Sequence, residues 1–254
     1  MNVYIAVFLL AFMSGSTTLI GVWLALHFKK SVKGIVIGIG FSSGIMFLIS
    51  FFELIPQSLS ETGVQNTLIY VFLGVLVIGA LNFIIPHLHL IKKETKHSPA
   101  LKTAYLIAFG LILHDFPEGF AMANSYISSP ALGLLITLAI AVHNIPEEFA
   151  MAVPIVSIKK KRFLYKIAFL SGLAEPAGAV LGLLAVDWMP TLSPLFMSFA
   201  AGAMIFISIH ELLPMAVKYK KTSLFIFGII LSVFVYLGLT LLIPERPQGV
   251  MPNG

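Results

Sequence analysis

The chain contains no cysteine. Disulfides and thiolate metal sites are excluded, and the redox compartment is left unspecified. Charge is also scarce: 11% of the 254 residues are Asp, Glu, Lys or Arg, against 58% hydrophobic residues and a mean hydropathy of +0.99. No soluble globular domain has that balance. Low-complexity tracts and long linkers are missing too. What is there instead is a series of apolar runs of the length that spans a bilayer, about 20 residues each.

Eight such segments are read: Val3–His27, Gly34–Leu59, Thr67–Leu90, Leu101–Ile127, Pro130–Ile158, Phe163–Val186, Pro190–Val217 and Thr222–Ile243. The first has no basic n-region and too long an apolar run for a cleavable signal peptide. Of the 16 basic residues, all but Arg246 fall in four clusters: Lys29, Lys30 and Lys33; Lys92, Lys93, Lys96 and Lys102; Lys159, Lys160, Lys161, Arg162 and Lys166; and Lys218, Lys220 and Lys221. These lie in or beside alternate connections, so they share one side of the membrane. The connections "SETGVQN", "ISSP" and "DWMPTLS" hold no basic residue. The positive-inside rule then places the basic loops in the cytoplasm and both termini outside. The expected molecule is an all-α, multi-pass protein of the cell's inner (plasma) membrane, one integral domain over residues 1–254. The net charge of +5 is a lipid-surface anchor, not a nucleic-acid surface.

Two internal repeats stand out. "SSGIMFLISFFELIPQSL" (Ser42–Leu59) aligns with "AAGAMIFISIHELLPMAV" (Ala200–Val217), pairing Gly44 with Gly202, Met46 with Met204, Ser50 with Ser208, Glu53 with Glu211 and Pro56 with Pro214. The two segments are five spans apart and so cross in opposite directions. Segments 1–3 and 6–8 are read as inverted halves around segments 4 and 5, a 3+2+3 arrangement of eight helices. Inverted repeats of this kind mark transporters with a midplane site. The second repeat is "HDFPEGFAMA" from His114 and "HNIPEEFAMA" from His143.

Seven acidic side chains fall within apolar segments: Glu53, Asp115, Glu118, Glu147, Glu148, Glu175 and Glu211. His114, His143 and His210 accompany them, with no Lys or Arg deep enough to pair. An unpaired acid at the bilayer centre costs about 2.5–3.5 kcal/mol on lenient scales, so compensation is required. Protonation could neutralise some acids, and one cation could neutralise several. Spacing favours the cation. His114 and Glu118, like His143 and Glu147, are four residues apart and share a helix face. His114 and His143 are each the fourteenth residue of their segments, so antiparallel neighbours set both motifs at one depth. Two imidazoles and two carboxylates make a first shell for Zn²⁺ or a similar divalent ion.

Pro117 and Pro146 leave the carbonyls of Leu113 and Val142 without their helical donors, and each is expected to kink or loosen its helix. Asp115 and Asn144 form a second coordination set that would share Glu118 and Glu147 as bridges, so the site is read as mononuclear or binuclear. Glu148 sits one residue round from Glu147 and faces a pore, a partner helix or a proton path. Gly172, Gly178 and Gly182 allow tight packing that would bring Glu175 to the same centre. Met46 and Met204 serve equally well as core filler.

The motifs "HDFPEG", "HNIPEE", "SGLAEPAGA" and "HELLP" resemble the ZIP family of divalent metal transporters, especially its bacterial branch, and the likeness covers essentially the whole chain. The resemblance implies that His114, Glu118, His143 and Glu147 bind one metal, with Met46 approaching it. It implies a second metal on Asp115, Asn144 and Glu175, bridged by Glu118 and Glu147. It also implies an outlying site at His210 and Glu211, with Glu53 opposite. A homodimer, and a sliding of segments 1, 4, 5 and 6 against 2, 3, 7 and 8, come from the same likeness. Two departures add negative charge: Glu148, where the family often has Gly, and Asp115, where it often has Asn. Of the family's His-rich cytoplasmic loop only His87, His89 and His97 remain, read either as a regulatory metal site or as interfacial residues without a role.

The function expected is secondary uptake of Zn²⁺, and of Fe²⁺, Mn²⁺, Co²⁺ or Cd²⁺, into the cytoplasm. The divalent ion is the transported substrate and no cofactor is required. No nucleotide-binding motif is present, so a gradient or downhill flow drives it. Three rivals are weighed. A proton-coupled carrier or antiporter would use the acids as a relay. An intramembrane metalloprotease needs His-Glu-x-x-His, but "HELLP" has Pro214 where the second histidine belongs. A metal-sensing receptor needs a soluble output domain, and no segment reads as one.

Overall fold

The structure is a computed structural model that describes residues 2–28, 31–84, 99–156 and 161–243. The basic residues Lys29, Lys30, Lys92, Lys93, Lys96, Lys159, Lys160 and Arg246, and the histidines His87, His89 and His97, lie outside the described residues.

Every regular element among the described residues is helical. In chain order these are α1 (Val3–Ser16), α2 (Thr18–His27), α3 (Val32–Leu48), α4 (Ile55–Ile84), α5 (Pro99–Ser128), α6 (Pro130–Val156), α7 (Lys161–Gly172), α8 (Ala174–Trp188), α9 (Ser193–Ile207), α10 (Leu213–Lys218) and α11 (Thr222–Leu242). Six helical stretches among the described residues are long and apolar enough to cross a membrane: Val3–His27, Val32–Phe83, Pro130–Val153, Lys161–Trp188, Pro190–Lys218 and Thr222–Leu242. The outward faces are apolar, as in Phe52, Phe72, Phe227 and Phe234, all more than half exposed. The buried interior carries His114, His143 and most of the described acids. With hydrocarbon as the solvent, that inversion of the usual pattern is the stable one.

Breaks in the helices are paired. α1 and α2 form one apolar stretch interrupted at Thr17, whose hydroxyl donates to the carbonyls of Ser14 at 2.7 Å and Ala141 at 2.9 Å. α7 and α8 are interrupted at Leu173. The two breaks meet. A Cβ on Gly15 would run into the carbonyl of Gly172, and one on Gly172 into that of Gly15, so only glycine permits the crossing. α3 passes into α4 through a π-helical turn at Ile49–Leu54, and α9 passes into α10 through another at Ser208–Leu212. In each, the closing N–H reaches five residues back, Ile55 to Ser50 and Leu213 to Ser208. Each turn lies just before a proline, Pro56 or Pro214, whose missing N–H already weakens the local ladder.

The helix pairing follows the same symmetry. α3 packs on α11 and α6, and α9 packs on α4 and α5. α2 packs on α6, and α8 on α5. Within α4, Gly63 has φ 78° and ψ 169°, a conformation that side-chain-bearing residues avoid, and helical geometry stops there. α5 and α6 each continue as one helix through Pro117 and Pro146, so the breaks fall outside the helices expected to kink.

Two contacts join helix ends on the side of the connections that carry no basic residue. Tyr4 donates its hydroxyl to Asp187, linking the start of α1 to the end of α8. The Gln57 amide donates to Ser128 Oγ at 3.0 Å, linking the first turn of α4 to the last residue of α5.

Candidate metal centre

α5 and α6 pack antiparallel and bring their repeated motifs face to face. His114 Nε2 lies 2.7 Å from Glu147 Oε1 and 3.5 Å from Glu118 Oε1. His143 Nε2 lies 3.0 Å from Glu118 Oε1 and 3.7 Å from Glu147 Oε2. Each imidazole therefore contacts the carboxylate of its own helix and that of the other. Donor atoms of His114, His143 and Glu147 all lie within 4.8 Å of one another. A tetrahedral zinc with ligands at about 2.0–2.2 Å holds its donors roughly 3.4 Å apart. The observed separations straddle that value, so shifts of under about 1 Å would bring these side chains to coordinating geometry.

The surroundings aim the first shell. His143 Nδ1 is 3.1 Å from the Ala139 carbonyl, which can only accept, so Nδ1 carries the proton. That leaves Nε2 directed at Glu118, and a neutral Nε2 and a carboxylate oxygen are both acceptors. Their 3.0 Å approach requires a cation between them, either a proton or a metal ion. Fixing one ring nitrogen on a carbonyl while the other faces the metal is the usual arrangement of a metal-binding histidine. Ser42 of α3 donates to the His143 carbonyl at 3.0 Å and ties this turn of α6 to the neighbouring helix.

A second acidic group adjoins the first. Glu175 Oε1 accepts from Asn144 Nδ2 at 2.6 Å. Glu175 arrives because α8 lies almost against the α5 backbone: a Cβ on Gly178 would meet the Phe116 carbonyl, and one on Gly119 would meet that of Glu175. Asp115 lies within electrostatic range of Glu118, Glu147, Glu148 and Glu175. One carboxylate oxygen on each of Asp115, Glu118, Glu147, Glu148 and Glu175 is buried without a hydrogen-bond donor. Five such oxygens in one neighbourhood constitute a chemical fit for a cation, since unsatisfied buried carboxylates are otherwise costly. Glu148 is only 3% exposed, and its Cβ sits where Gly21 of α2 leaves room.

The remaining expected residues make contacts of their own. Met46 is fully buried in α3, and its sulfur accepts from Ser208 Oγ at 3.2 Å. Glu211 accepts from Asn82 Nδ2 at 3.1 Å and lies within electrostatic range of His114 and Glu147. His210 Nδ1 is 3.3 Å from the same Asn82 nitrogen, and its ring stacks on Phe206 at 4.9 Å. Glu53 accepts from the Tyr236 hydroxyl. Sequence reasoning missed Asn82, Tyr236 and Ser42. Asn82 had a signal, a lone amide in the apolar run "VLVIGALNFII".

Fold and site together define an all-helical, multi-pass membrane protein with a buried imidazole–carboxylate centre suited to a divalent cation. Residues 87–243 match the family described as ZIP Zinc transporter. The chain is 35% identical to the zinc transporter ZupT of Clostridium perfringens, with 92% of this chain and 95% of that protein covered. It is 36% identical to the ZupT of Streptococcus mutans, with 90% and 94% covered, and 35% identical to that of Escherichia fergusonii, with 92% and 95% covered. The chain belongs to the ZIP zinc transporter family.

Proposed function

We propose that this protein takes up zinc and related divalent ions across the cell's inner membrane into the cytoplasm, as a transporter and not an enzyme. The carrying observation is the convergence of His114, Glu118, His143 and Glu147 from two helices, every one nearly or fully buried. The ion is the substrate. Zn²⁺ suits an imidazole–carboxylate shell, and Fe²⁺, Mn²⁺, Co²⁺ and Cd²⁺ fit the same donors with less preference. Asp115, Asn144 and Glu175 would hold a second ion bridged by Glu118 and Glu147, and Glu148 adds negative charge beside it. Met46 would approach the first ion from α3.

The architecture proposed is a single domain of eight spans in a 3+2+3 inverted repeat, with both termini outside. A straight helix over the 52 residues Val32–Phe83 would reach about 78 Å, more than twice the hydrocarbon thickness. The Gly63 break divides it into two crossings. α5 supplies the eighth span. Support for the inverted repeat comes from the matched π-turns and the matched packing of α3 and α9. The Tyr4–Asp187 and Gln57–Ser128 contacts support a common outer side for the connections without basic residues. The homodimer, and the sliding of one helix group on the other, rest on the family resemblance.

Zinc uptake by purified protein in liposomes is the test. Wild type should accumulate Zn²⁺ when supplied outside, and His143→Ala with Glu147→Ala should reduce the rate at least a hundredfold. Unchanged uptake by the double variant would remove these residues from the pathway.

A further inference from the structure

Glu53 and Glu211 occupy equivalent places in the two halves, 158 positions apart, and each sits in a π-turn. Each also receives a hydrogen bond from the last helix of a half: Glu53 from Tyr236 on α11, and Glu211 from Asn82 on α4. The packing that makes this possible is itself matched. Gly40 and Gly44 of α3 let α11 approach, their missing Cβ atoms leaving room for Phe225 and Ser232. Gly202 of α9 does the same for Val71 of α4. Tyr236 and Asn82 are both nearly buried, at 8% and 2% exposure. They differ chemically, so likeness between the two segments did not reveal them.

The two glutamates lie toward opposite ends of the central pair. Gln57, one turn beyond Glu53, bonds Ser128 at the α5–α6 turn. His114 is 14 residues before Ser128 and Glu118 ten, which sets the centre of the site about 18 Å from that turn. Glu53 therefore stands about 12 Å nearer the α5–α6 turn than the His/Glu centre does. Glu211 stands seven residues before Lys218, toward a basic loop.

We infer that Tyr236 is a positioning residue that holds the Glu53 carboxylate as an entry station for a hydrated divalent cation, the counterpart of Asn82 holding Glu211 on the far side of the site. A π-turn widens the helix and turns its side chain away from the regular ladder, and such turns recur at functional sites. A carboxylate on so wide a turn needs an external donor to fix its direction. The phenol supplies that donor through its one O–H.

This inference rests on the transport reading, and the experiment separates the two. Zinc uptake into liposomes is measured across a range of Zn²⁺ concentrations for Tyr236→Phe, Glu53→Gln, the double variant, Tyr236→His and Asn82→Ala, with thermal unfolding of each. Loss of one hydrogen bond to a carboxylate predicts a roughly three- to tenfold rise in KM for Tyr236→Phe, with Vmax within twofold of wild type. The double variant should have the KM of Glu53→Gln alone, because the two groups act as one unit. Tyr236→His, which keeps a ring N–H, should recover at least half of the lost affinity. A KM for Tyr236→Phe equal to wild type, or multiplicative effects in the double variant, would overturn the inference. So would a fall in Vmax and unfolding temperature without a change in KM. If His143→Ala with Glu147→Ala still transports, the reading of the central site fails instead.

Discussion

Glu148 is the sharpest case of a residue kept against its own stability. It is buried beside Glu147, one oxygen has no donor, and Gly21 leaves just enough space for its Cβ. Glu118 and Glu147 share their positions with imidazoles, so their burial is compensated. Replacing Glu148 by Gln preserves volume and removes a buried acid beside Glu147. Glu148→Gln should raise the unfolding temperature in chelator by several degrees, about 1–3 kcal/mol of stability, while lowering uptake. Thermal unfolding in detergent with and without chelator reads this directly, and a lower unfolding temperature in chelator would contradict it. The four central residues were legible in the sequence because a helix fixes the direction of i and i+4 side chains. Equal depth in antiparallel neighbours did the rest. Glu175 was legible through the glycines that bracket its packing. Asn82 and Tyr236 were not placed, because a lone polar side chain in an apolar run carries no information on which helix it will meet.

Elements show what the sequence concealed. Pro117 and Pro146 sit inside helices that run through them, whereas the interruptions occur at Thr17 and Leu173 and at the two π-turns. Tertiary contacts decide this. Thr17 satisfies carbonyls on two helices, and the Gly15–Gly172 crossing admits nothing larger than a hydrogen. Neither feature has a local signature. The repeated Glu-x-x-Pro was visible, but the widened turn before each proline was not, since proline frees a carbonyl without dictating how the chain re-satisfies it. The α5–α8 seam is the element whose loss should matter most. Gly178→Leu would drive a side chain into the Phe116 backbone and lift Glu175 away from Asn144. It should cost about 1–3 kcal/mol of stability and at least tenfold in uptake. Intact unfolding temperature and uptake would show that the seam is not tightly packed in the bilayer.

At the scale of the whole molecule, the described helices place buried acids and imidazoles inside an apolar shell. Matched features (two broken helices, two π-turns, two glycine-lined helix pairs) support the proposed inverted repeat. The absence of cysteine makes topology easy to test, because a single introduced thiol has no background. Gln65→Cys, beside the Gly63 break, should react with a membrane-impermeant maleimide in intact cells. Lys221→Cys should react only after permeabilisation. The reverse pattern would invert the proposed orientation, and labelling of both would refute it.

The whole account depends on a divalent ion seated between α5 and α6. Anomalous diffraction from crystals soaked in Zn²⁺ or Cd²⁺ measures that directly. A peak within about 2.0–2.4 Å of donors from His114, Glu118, His143 and Glu147 is predicted, with a second beside Glu175 and Asp115 if two ions bind. Anomalous peaks confined to surface residues, with the central imidazoles and carboxylates still paired only with each other, would contradict it.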